Sequence, residues 1–60
     1  MIQRVIVQDQ VGKTVLNNPL KQPCDENELR AEFTKGKLPI LALTIDTVGT
    51  ALVTVGKTLH

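Results

Sequence analysis

The stretch "LPILALTIDTVGTALVTVG", Leu38 to Gly56, decides what kind of protein this chain makes. It runs for 19 residues with a single charge, Asp46, and a lysine stands at each end, Lys37 and Lys57. A membrane-spanning helix needs about 20 mainly apolar residues, so that reading competes with two strands around a turn. As a spanning helix the segment would hold Asp46 at the bilayer centre, at a cost of roughly 2.5–3.5 kcal/mol. Its four threonines and Gly49 would add nothing favourable. As strands, the same letters make sense. "TVGT" turns the chain at Gly49, and "ALVTV" then places Ala51, Val53 and Val55 on one face with Leu52 and Thr54 on the other. "LPILALTID" is apolar on both faces, which predicts a strand covered on both sides. Two strands and no membrane is the expectation.

Toward the N-terminus the helix is the best-marked element, predicted over Asp25 to Lys35. Asp25 is a good N-cap, and Glu28 three residues on has the capping-box spacing. Cys24 and Leu29 are spaced as a hydrophobic staple, and Glu26 and Arg30 form an i,i+4 pair in the favourable order. Leu29 and Phe33 supply the apolar stripe. Lys35 falls in the last turn, and Gly36 is the expected left-handed residue after it.

Earlier still, "IQRVIVQDQ" alternates, with Gln3, Val5, Val7 and Asp9 on one face and Ile2, Arg4, Ile6 and Gln8 on the other. "QVG" reads as a tight turn at Gly12, and "KTVLNNPL" as a returning strand ended by Asn17-Asn18-Pro19. Pro19 and Pro23 bracket a short loop in this reading. The order strand, strand, helix, strand, strand predicts one α+β domain over residues 1–60, a ββαββ unit in which two β-hairpins flank one short helix.

Composition adds a constraint. A 60-residue chain buries only about 60% of the surface its unfolded form exposes, so it needs a supplement to its core. Cys24 is the single cysteine and His60 the single histidine, which excludes an internal disulfide and a Cys/His metal site. Self-association remains. One helix covers one sheet face, so the two-faced apolarity of residues 38–45 also asks for a second chain. An intertwined or sheet-packed homodimer is expected. The lone thiol and the polar, alternating start favour a reducing cytoplasm.

Two copies of Val-Gly-Lys-Thr, in "VQDQVGKT" (residues 7–14) and "ALVTVGKT" (51–58), end as a phosphate-binding loop ends. That loop needs Gly-x-x-x-x-Gly-Lys-Ser/Thr between a strand and a helix. Here Val7 and Ala51 replace the first glycine, and no helix pattern follows either copy. Both copies therefore read as structural: a glycine turn in the first, a bulge or strand end in the second. Cys24 sits before a helix N-terminus, but neighbouring acids oppose thiolate formation, so packing is its expected role. Asp9 and Asp46 flank turns, where aspartate bonds locally. Asp25, Glu26, Glu28 and Glu32 cluster in the helix's first turns, where negative charge is stabilised, and metal binding by them would be unspecific. No catalytic constellation, metal site or cofactor site is expected. The net charge of +1 is too balanced to hold nucleic acid by bulk charge, and the single aromatic, Phe33, argues against base stacking.

Residues 9 to 16, "DQVGKTVL", resemble the Asp-x-x-Gly-Arg/Lys-x-x-Ile/Leu signature of the AbrB/MazE family of swapped-hairpin DNA-binding domains. The layout agrees: a glycine-turned hairpin, a short helix, a second hairpin. The resemblance implies two chains interlaced in one barrel, acting as a transcriptional regulator or antitoxin. DNA phosphates would then meet Arg4 and Lys13, with Lys21 following the loop. The chain departs from the pattern where Asn17-Asn18 precede Pro19, and its helix is acidic. The expectation is a non-enzymatic binding protein, a dimeric DNA-binding regulator. The alternative is a protein-interaction module, whether inhibitor, adaptor or assembly subunit, that binds a partner through the acidic helix or an open sheet edge.

Overall fold

The structure, a computed structural model, describes residues 1–56. Strands β1 (Ile2–Gln8) and β2 (Thr14–Cys24) form a hairpin, helix α1 (Glu26–Lys35) follows, and β3 (Ile40–Ile45) and β4 (Thr50–Val55) form a second hairpin. The four strands make one sheet in the order β2-β1-β4-β3. Each hairpin is antiparallel, and β1 and β4 run parallel at the centre. Residues 38–56 are therefore two strands around a turn, as the sequence predicts. No helix among the described residues is long and apolar enough to cross a membrane.

The core lies between α1 and one face of this sheet. Parallel register sets Val5 beside Ala51 and Val7 beside Val53, and Leu43 continues the second row from β3. Val5, Val7, Ala51, Val53 and Val55 are buried there, together with Leu29 from the helix. Ile2 joins them, although strict alternation grouped it with Arg4 and Ile6. The reason is local. The N–H groups of Gln3 and Arg4 both donate to the Gly49 carbonyl, at 2.7 and 3.2 Å, and this irregularity returns Ile2 to the core face.

The helix forms as its letters direct. Asp25 caps it, Oδ1 accepting from Glu28 N–H at 2.8 Å, and Arg30 Nε meets Glu26 Oε2 at 2.8 Å. Its end differs from expectation. Gly36 still donates to the Glu32 carbonyl with φ −83°, so the left-handed position falls one residue later, on Lys37 at φ 59°.

One strand reading needs correction. β2 does not stop at Asn17-Asn18-Pro19 but runs on through Pro23 to Cys24. It is an edge strand with one neighbour, and there a proline need not break a ladder. β3 forms the opposite edge, and within one chain Leu41 is 56% and Ile45 41% exposed.

Both hairpins close by one device. Asp9 Oδ1 accepts from the N–H groups of Val11 and Lys13, at 3.0 and 2.9 Å. Asp46 Oδ1 does the same for Val48 and Thr50, at 3.0 and 2.9 Å. Gly12 and Gly49 take φ +87° and +91° at equivalent places. The two glycines differ in surroundings. A Cβ on Gly12 would meet nothing within 4 Å, whereas one on Gly49 would stand 2.7 Å from the Met1 carbonyl oxygen. Gly12→Ala is therefore expected to cost only its backbone strain, about 1–2 kcal/mol. Gly49→Ala adds a forced shift of β1 and is expected to cost about 3 kcal/mol or more. Urea unfolding of the two variants measures this, and equal losses would refute it.

Candidate functional site

The most developed concave feature arises from surplus length in β2. Between the pairs Arg4–Pro19 and Ile2–Cys24, two residues' advance along β1 faces five along β2. The extra residues bow β2 outward beside the helix. A cleft of about 700 Å³ opens between them, within the range of ligand-sized sites. Val5, Leu20, Leu29 and Phe33 make its apolar floor, with Cys24 at one side. Exposed Lys21 stands on the β2 wall, and exposed Glu28 and Glu32 stand on the helix wall. The two glutamates are one helical turn apart and so share a face. Glu26 is tied to Arg30, whereas among the described residues Glu28 and Glu32 have no ion-pair partner. Such a cleft can take an apolar side chain on its floor and a cation against its helix wall. Sequence reasoning missed it because Leu20 to Pro23 read as a loop; Leu20 and Cys24, two apolar residues four apart around Pro23, were the available signal.

The basic residues singled out from sequence are not gathered. Arg4 lies on the sheet face without the helix, where its Nη1 donates to Asn17 Oδ1 at 2.7 Å. Lys13 is exposed at the end of the first hairpin, its backbone N–H held by Asp9. Lys21 is exposed and is one of the residues lining the cleft. Around Arg4 the open face carries Ile6, Gln8, Thr50, Leu52 and Thr54 from the two central strands.

The remaining motifs resolve into structure. In the first Val-Gly-Lys-Thr copy, Val7 is buried in β1 and Thr14 opens a strand, not a helix. In the second, Val55 ends β4 and Gly56 N–H donates to the Pro39 carbonyl at 2.9 Å; Lys57 and Thr58 lie outside the described residues. The repeat that matters in three dimensions is Asp-x-Val-Gly, residues 9–12 and 46–49, which builds both hairpin turns. Among the described residues, no three His, Cys, Asp or Glu side chains come together as a metal set.

Cys24 packs against the core cluster, in keeping with the staple spacing. Burial pushes its thiol above the ordinary value, the negative charges of Glu28 and Asp25 push the same way, and the N-terminal ammonium opposes them. The thiolate, the reactive form, is thereby depleted near neutral pH. Alkylation of Cys24 by iodoacetamide at pH 8 is expected to run several-fold slower in the folded chain than in urea. Equal rates, followed by mass spectrometry, would show that the fold leaves the thiol unprotected. No protein-family model, curated protein or solved structure matches the chain, so its functional reading rests on its own residues.

Proposed function

We propose that this chain is a non-enzymatic protein-interaction module of the reducing cytoplasm, whose α1–β2 cleft receives a partner segment carrying an apolar side chain flanked by lysine or arginine. The cleft itself carries the reading. Its apolar floor of Val5, Leu20, Leu29 and Phe33 lies under Glu28 and Glu32, which have no ion-pair partner among the described residues. One anchored aliphatic or aromatic side chain contributes about 1.5–3 kcal/mol. Each exposed ion pair at the rim adds less than about 1 kcal/mol. The contact is therefore weak and reversible, suited to an inhibitor, adaptor or assembly subunit.

The second reading is the dimeric DNA-binding regulator or antitoxin that the Asp-x-x-Gly-Lys resemblance implies. Lys13 favours it, exposed on a hairpin end that Asp9 holds in shape. A dimer would double that surface and set Arg4 and Lys13 of both chains against phosphates.

One titration separates the two. Isotope-labelled protein is mixed with a short peptide bearing two leucines between lysines, with the same peptide bearing glutamates, and with a random-sequence DNA duplex. The lysine peptide is expected to shift the amide signals of Leu20, Glu28 and Phe33, and Glu28→Lys/Glu32→Lys to abolish the effect. Equal binding of the glutamate peptide, or no shifts at millimolar peptide, would refute the cleft reading. Duplex-induced shifts at Arg4 and Lys13 that vanish between about 50 and 200 mM salt would support the regulator instead.

A further inference from the structure

The two outer edges of the sheet are unlike. β2 carries Pro19, Pro23 and Lys21 and two register irregularities, the usual means of keeping an edge from pairing. β3, "ILALTI", has neither proline nor charge, and a single register irregularity, between Ile40 and Ala42. Leu41 and Ile45 on it, and Leu38 just before it, are exposed to 56, 41 and 43%. An apolar edge with so little protection is a template for another strand. We infer that β3 pairs antiparallel with β3 of a second copy of this chain, joining two four-stranded sheets into one continuous sheet of eight.

The charges flanking β3 select both the occupant and its direction. Lys37 stands shortly before the strand and Asp46 directly after it. Antiparallel pairing brings each Lys37 toward Asp46 of the partner subunit, at both ends at once. Parallel pairing would set lysine against lysine and aspartate against aspartate, which is unfavourable across a strand pair. Asp46 can serve both roles, since Oδ1 holds the turn through Val48 and Thr50 while its other oxygen is left for the lysine. The antiparallel arrangement is two-fold and self-closing, so it stops at a dimer. β3 is six residues long, which makes the interface small and the dimer concentration-dependent. This interface is independent of the α1–β2 cleft, which lies at the opposite edge.

The test combines solution mass with spin-label distances. Light scattering on the wild-type chain is expected to show a dimer at about 100 μM protein that dissociates on dilution. In a Cys24→Ser background, labels on Thr44→Cys of β3 are expected to lie within about 20 Å of each other. Labels on Thr14→Cys of β2 should be separated by about seven strand spacings, more than 30 Å. Lys37→Glu is expected to weaken the dimer about tenfold, and Leu41→Lys, which places two cations on the shared edge, at least as much. Circular dichroism of the dilute variants checks that the monomer still folds. A chain that stays monomeric to 1 mM would overturn the inference. So would Thr14 labels closer than Thr44 labels, or dimers indifferent to both substitutions. Because the readouts lie on β3, this outcome and that of the cleft titration are separable.

Discussion

Everything else in this molecule depends on the parallel pairing of β1 with β4. Val5 beside Ala51 and Val7 beside Val53 lock the two hairpins side by side and form the centre of the core. A lone hairpin is marginal in water; two hairpins sharing a central pair give four strands and a face large enough for a helix to cover. The same pairing fixes Gly49. Its carbonyl takes the N–H groups of Gln3 and Arg4, and its α-carbon sits so close to Met1 that no side chain fits. It also sends β2 and β3 to the two outer edges, where the surfaces available to other molecules lie.

Local chemistry was legible in the sequence; placement within the sheet was not. The cap at Asp25, the Glu26–Arg30 pair, the turns at Gly12 and Gly49 and the buried row Ala51-Val53-Val55 each follow from a few adjacent residues. The largest departure has one cause: edge and centre cannot be told apart from one strand's letters. Asn17-Asn18-Pro19 breaks a central strand but is tolerated at an edge, so β2 runs past the predicted stop. Ile2 and Lys37 differ for a smaller reason. A single irregular residue inverts the alternation before it, and one extra helical hydrogen bond moves the left-handed position from Gly36 to Lys37.

The cleft follows from the first of those departures. Residues that read as a loop are the surplus that bows β2 from the helix, and the floor they expose could be located only once Ile2 and Cys24 were known to pair. Arg4, Lys13 and Lys21 stand out in the sequence for charge and closeness. The fold distributes them to the helix-free face, the hairpin end and the rim of the cleft, on three different stretches of the sheet. Closeness along the chain did not become closeness in space.

The central pair has a consequence for how the chain is made. Val5 meets Ala51, 46 residues further along, so an early strand waits for a late one. Until β4 pairs, the first hairpin leaves one edge of β1 without a partner. Pairing across so long a loop is slow compared with hairpin or helix closure. The short lengths of β1 and β4 limit that edge's exposure, and the prolines of β2 keep the other edge of the early hairpin from recruiting neighbours in the meantime.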